Sequence, residues 1–311
     1  MASIDDITIA LQKLTLTDVT PLDQELGRGA YGKVFTVKYR EKIYAAKEIH
    51  SLLLEVANPE EKRKIKNTFL RECYHCSLLS HPNIVRFIGV YYPERNSVFP
   101  VMMMELMGES LTHYVKKPNI SMKMKASILY DVAFGLNYLH SYNPPIIHRG
   151  LSPNNVLLSR DSVAKISDLG VAKVVKADSR ATQTMLTKAP GTVDFMPPES
   201  FGDMPNYDTS LDIFSYAGIV LHVVNQEWPS PTNRITLHPK TGKATALSEV
   251  ERRQVHLDKM KDGAEVLKPL VKSCLHHLPS KRPTIAAIFK LLEPLKVSTY
   301  LCHFMMCCKH K

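Results

Sequence analysis

Ile146-Ile147-His148-Arg149-Gly150-Leu151-Ser152-Pro153-Asn154-Asn155-Val156-Leu157-Leu158, then a polar turn, then Lys165-Ile166-Ser167-Asp168-Leu169-Gly170, is the stretch that decides the fold. It reads as two short apolar strands, each beside a polar cluster. Asn155 and Asp168 carry oxygen ligands of the kind a hard cation such as Mg²⁺ takes. His148 and Arg149 stand just upstream, and the position after them is a glycine, Gly150.

The bulk numbers leave room for this reading. A chain of 311 residues with 44% hydrophobic residues is long enough for one two-lobed domain with a full core. Lys and Arg number 40 against 30 Asp and Glu, a surplus of 40 − 30 = 10. That surplus suits acidic partners such as a nucleotide, but the basic residues are scattered and no nucleic-acid motif appears, so no nucleic-acid partner is expected. Six irregularly spaced cysteines do not make a disulfide framework. Residues 1 to 20 hold acids and no unbroken apolar core, and no run reaches the ~18 apolar residues of a membrane span. A reduced, cytoplasmic setting is the expectation.

Working outward, residues 1 to 20 form an N-terminal extension. Ser3 and Asp6 fit a helix-start box, and Ile4, Ile7, Leu11 and Leu14 recur at helical spacing. The spacing predicts a short helix packed on the domain; a docking helix for a partner is the alternative. Residues 24 to 50 alternate as strands do, and between the first two strands lie Gly27, Gly29 and Gly32. Glycines so spaced let main-chain N–H groups approach phosphates. Strand-like residues beginning with Val34 follow, whereas a dinucleotide fingerprint would open a helix. Tyr44-Ala45-Ala46-Lys47 comes next, and residues 59 to 80 predict a helix that carries Glu72. Strands are expected from Val85 to Tyr92 and from Val98 to Leu106, and a long buried helix from Ser121 to His140. Further helices are expected from Asp212 to Val224, from Leu267 to Leu275, and after Ser280. Residues 228 to 250 read as a loop.

Taken together these motifs, in this order, resemble the protein kinase family over residues 21 to 296, on its tyrosine-kinase-like or Ser/Thr side. The resemblance implies an α+β, two-lobed kinase fold. A small antiparallel-sheet N-lobe with one helix would cover 21–107, and a larger, mainly helical C-lobe 108–296. It implies ATP and Mg²⁺ as cofactors. Gly27, Gly29, Gly32, Val34, Ala45, Lys47 and Leu157 would surround the nucleotide, Met104 would be the gatekeeper, and the hinge from Glu105 to Met107 would meet adenine. Lys47 would grip the α- and β-phosphates with Glu72 as its partner, and Asp168 and Asn155 would hold the metal. Leu169, His148, Cys76 and Phe87 would line an apolar spine. Asp212 would brace the catalytic loop, and Arg282 would pair with Glu199.

One departure stands out. The family's His-Arg-Asp triplet is here His148-Arg149-Gly150, so the carboxylate that accepts the substrate proton is missing, and Ser152 replaces a lysine common two residues on. A glycine should also loosen the loop. The expected function is an ATP-binding signalling protein with impaired catalysis, a scaffold or allosteric regulator for a protein partner. The alternative is an active Ser/Thr kinase with a non-standard base. Ser179, Thr182, Thr184 and Thr187 lie among basic residues, Arg149 included, where phosphates would find cations. In the tail, 297–311, Cys302, Cys307 and Cys308 beside apolar and basic residues would allow weak, peripheral membrane association if acylated.

Overall fold

A computed structural model describes residues 2–29, 32–94, 97–169, 173–174, 193–201, 208–231, 235–237 and 244–293. The activation-segment hydroxyls Ser179, Thr182, Thr184 and Thr187 and the tail cysteines lie outside these residues. The chain divides into two compact units: Met1–Gly108 with Ser167–Ala172, and Glu109–Ile166 with Lys173–Lys311.

The first unit is the expected antiparallel sheet with a helix beside it. Its five strands, β1 (Thr20–Arg28), β2 (Gly32–Tyr39), β3 (Lys42–Ile49), β4 (Phe87–Tyr91) and β5 (Val101–Met104), lie in the order β1-β2-β3-β5-β4. The last two are shorter than their apolar runs, and a register shift between Phe87 and Gly89 interrupts their pairing. One sheet face buries Phe35, Val37, Ala46, Tyr91, Val101 and Met103. The helix α3 (Pro59–Ser77) starts at Asn58, whose side chain takes the Glu61 N–H while Glu61 returns the bond, with Pro59 supplying a preset φ. A short helix that the apolar run after β3 did not suggest, α2 (Ser51–Val56), precedes it.

The N-terminal extension is built into this unit. Helix α1 (Ile4–Gln12) opens on a capping box between Ser3 and Asp6, a cap typically worth ~1 kcal/mol. Its Ile7 and Leu11 are buried in one cluster with Phe69, Leu70 and Cys73 of α3 and with Val90 and Met102. Burying two such side chains contributes roughly 1.5–3 kcal/mol each.

The second unit is mainly helical. After α4 (Leu111–Tyr114) comes α5 (Met122–His140), capped by Ser121, whose hydroxyl accepts from the Met124 N–H. The helix α6 (Ser210–Asn225) is buried all round from Leu211 to Val224, as a helix at the centre of a core must be. Lys125 of α5 donates to the carbonyl of Val224 at 2.8 Å, a cation set against the negative end of α6. Short paired strands carry the central stretch: β6 (Ile146–Ile147) with β9 (Lys173–Val174), and β7 (Val156–Leu158) with β8 (Ala164–Ile166). The stretch expected to be loop from 228 to 250 contains a hairpin, β10 (Ile235–Leu237) with β11 (Ala244–Ala246). Helices α7 (Glu249–Arg252), α8 (Gln254–Lys259), α9 (Lys268–Cys274) and α10 (285–293) complete the unit.

Candidate functional site

The candidate residues form two groups, one in each unit. In the first, Lys47 stands on β3 opposite Val34 of β2. Its ammonium donates to Glu72 at 2.6 Å and to Asp168 at 2.8 Å. Burial alone would lower the lysine's pKa. The charges of Asp168 and Glu72 more than offset it, so Lys47 is held firmly cationic. Burial, with Asp168 adding to it, pushes the Glu72 carboxyl up even against the pull of Lys47. Asp168 sits in the left-handed region at φ 57°, which turns the chain sharply there.

The glycine hairpin divides by role. At Gly32 a Cβ would meet the Glu48 carbonyl oxygen at 2.0 Å, so this glycine lets β2 pair with β3. Gly27 would meet nothing within 4 Å, and Gly29 only the Gly32 carbonyl at 3.8 Å, so their bareness serves no packing need. The Gly29 N–H donates to the Gly32 carbonyl at 2.9 Å, so the turn closes on its own main chain. Ala45 is buried, and Val34, Met104 and Met107 are half-buried. The hinge residue Glu105 is tied to Arg86 twice: its N–H donates to the Arg86 carbonyl at 2.9 Å, and its carboxylate accepts the Arg86 N–H at 2.7 Å. A cavity of about 330 Å³, lined by Lys33, Phe35, Glu48 and Tyr91 among others, opens on the sheet face opposite Lys47, as strand alternation requires.

In the second unit the loop from His148 to Asn155 is held from beneath. Asp212, fully buried on α6, accepts the N–H of His148 and of Arg149 at 2.8 Å each, and Nε2 of His140 at 2.8 Å. Burial would raise this carboxyl. The hydrogen bond and charge of His140, helped by His148, hold it below the ordinary carboxylate value. Gly150 donates its N–H to Nδ1 of His148 at 3.2 Å, and its carbonyl accepts from Nδ2 of Asn155 at 2.8 Å. The loosening expected of Gly150 is therefore opposed by bonds on both sides of its main chain. With Nδ2 so engaged, Oδ1 is the Asn155 atom with the chemistry a cation takes. Leu157 bridges to Ser110, and Ser152 is wholly buried.

Arg282 pairs with both carboxylate oxygens of Glu199, one at 3.0 Å. His140 escaped sequence reading, although a histidine in the last turn of a long helix was the available signal. So did a network around Asp194. Its carboxylate accepts from Trp228 at 2.7 Å and Ser230 at 3.1 Å, while Arg253, paired with Glu249, donates to its carbonyl at 2.8 Å. No helix among the described residues is long and apolar enough to cross a membrane. Nor, among them, do three or more His, Cys, Asp or Glu gather to hold a metal.

Residues 21–291 match the family described as the protein kinase domain. The chain is 28% identical over 302 residues to a probable serine/threonine-protein kinase, kinX, of Dictyostelium discoideum, covering 96% of this chain and 26% of that protein. It is 29% identical over 278 residues to the serine/threonine-protein kinase CTR1 of Arabidopsis thaliana, covering 88% and 31%. With the mouse serine/threonine-protein kinase TNNI3K it shares 32% over 206 residues, covering 66% and 24%. The chain thus spans about a quarter to a third of the length of these relatives. A family match across most of the sequence, on a sheet unit and a helical unit of the kind that family has, makes this chain a member of the protein kinase family.

Proposed function

We propose that this chain binds ATP with Mg²⁺, transfers phosphate poorly, and signals as a nucleotide-responsive scaffold or allosteric regulator of a protein partner in the cytoplasm. The observation that carries this reading is a contrast. Lys47 is clasped by Glu72 and Asp168, while position 150, in a loop whose main chain Asp212 braces, offers no carboxylate.

In this reading Lys47 binds the α- and β-phosphates, Glu72 orients it, and the main chain at Gly27 and Gly29 approaches the phosphates. Asp168 and Asn155 are the ligands for Mg²⁺, which when bound neutralises phosphate charge. Nothing at position 150 takes the proton from an incoming hydroxyl. Asp212 is no substitute, because its two oxygens already serve three N–H donors. Loss of a general base costs ~10²–10⁴ in rate, or roughly 3–5 kcal/mol of barrier. The rival reading, an active Ser/Thr kinase with an unusual base, draws on the intact bracing of the loop.

Thermal unfolding with and without Mg-ATP, alongside phosphotransfer to hydroxyl peptides, tests the proposal. At ATP 100-fold above Kd the natural chain should gain about 2.7 kcal/mol of stability, and Lys47→Met should abolish the gain. Robust phosphotransfer by the natural chain, lost in Lys47→Met, would establish the rival instead.

A further inference from the structure

The N-terminal extension touches the helix that carries Glu72. Ile7 and Leu11, 2% and 1% exposed, pack on Phe69, Leu70 and Cys73, which flank Glu72 along α3. On the other face of α1, Ile9 is 56% exposed. Beyond α1 the chain runs beside β4. Leu16 donates its N–H to the Val90 carbonyl at 2.8 Å, Val90 donates to the Leu14 carbonyl at 3.1 Å, and Thr15 forms a parallel bridge with Val90. Gly89 makes this approach possible. A Cβ there would meet the Leu14 carbonyl oxygen at 2.7 Å and the Leu16 side chain at 2.8 Å. Strand, helix and extension are thus shaped to one another.

We propose that residues 3–16 form a built-in clamp, in which Ile7 and Leu11 are positioning residues that hold α3 in the register where Glu72 reaches Lys47, and so set the affinity for nucleotide. The Glu72 carboxylate is buried and its bond to Lys47 spans 2.6 Å, so a small displacement of α3 leaves it without its cation. The apolar contacts of α1 oppose that displacement from the far side of α3. The clamp's effect on affinity rests on the nucleotide-binding reading above; its effect on α3 does not.

Cys73 supplies a readout independent of nucleotide. It is fully buried under α1, and burial pushes its thiol well above the ordinary value, so it should resist alkylation in the natural chain. The experiment alkylates the full chain with iodoacetamide, maps each cysteine by peptide mass, and measures ATP affinity with Mg²⁺ in parallel. Leu11→Asp breaks the contact with α3, and Gly89→Ala lifts the extension from β4 without touching α1. Both should alkylate Cys73 about tenfold faster and weaken ATP binding about tenfold, the cost of engaging Glu72 only a tenth of the time. Ile9→Asp should change neither. Cys274, buried in the second unit, reports general unfolding. If Leu11→Asp exposes it, Gly89→Ala decides. Cys73 as protected in the deciding variant as in the natural chain overturns the clamp. So does exposure of Cys73 with unchanged affinity. A natural chain that binds no ATP removes the functional reading, and the alkylation result alone then decides whether residues 3–16 hold α3.

Discussion

Gly150→Asp is expected to transfer phosphate to a hydroxyl peptide about 10²–10⁴-fold faster than the natural chain. The gain is large because the substitution supplies the missing proton acceptor in a loop whose main-chain bonds do not depend on the side chain at 150. Every bond that holds position 150 is made by main chain: the N–H to His148 and the carbonyl to Asn155. The left-handed strain at Arg149, φ 60°, belongs to its neighbour, and among the described glycines only Gly263 has a positive φ. An L-residue at 150 therefore enters without that strain. The initial rate at saturating Mg-ATP measures the effect. Equal, robust rates from both chains would remove the idea that the natural one is impaired. Activity confined to the variant would locate the defect at a single side chain, because phosphoryl transfer otherwise depends on positioning and charge.

Asp212→Ala should produce the largest loss of stability, about 3–5 kcal/mol, the range for removing one partner of a buried charged cluster. The loss has a specific composition: the N–H groups of His148 and Arg149 and the imidazole of His140 all lose their acceptor in a site that water does not reach. Asp212→Asn should recover little, since its amide nitrogen would point one donor at other donors. The chain's single tryptophan, Trp228, packs edge-on against Phe195 at 5.0 Å in the same unit, so its fluorescence during urea unfolding reads the effect locally. A pH dependence accompanies it. The folded carboxyl is held below its unfolded value of about 3.9, so the cluster stabilises the fold above about pH 4 and ceases to as pH falls further. The natural chain should lose stability across that acid range, and Asp212→Ala should show less of this dependence. A variant within about 1 kcal/mol of the natural chain would mean that the loop is braced by other groups.

The parts of the fold that were legible in sequence are those whose signals are local. Ser121 and the 3-4 spacing after it locate α5 to within a residue, and Pro59 with its acidic first turn locates the start of α3. The Lys47–Glu72 pair was readable because two separated motifs each pointed to one member, although they stand 25 positions apart. What escaped depends on distant partners. Strands of three residues such as Ile235–Leu237 are too short to show an alternation, so the hairpin passed as loop. The bonds from Asp194 to Trp228 and Arg253 join residues 34 and 59 positions apart with no periodicity to betray them. Gly89 read as one more residue of an apolar strand, because the reason for it lies in the chain that presses on it from residues 14 to 16.

That pressing chain has a practical consequence. In the sheet order β1-β2-β3-β5-β4, the strand β4 is a margin, and residues 14 to 16 occupy its outward-facing main-chain groups. A protein trimmed to residue 21, where the family match begins, would present Val90 with unsatisfied donors and acceptors beside a bared patch of Phe69, Leu70 and Cys73. A raw strand margin next to exposed apolar surface is a template for self-association, so such a truncation should precipitate where the full chain stays in solution.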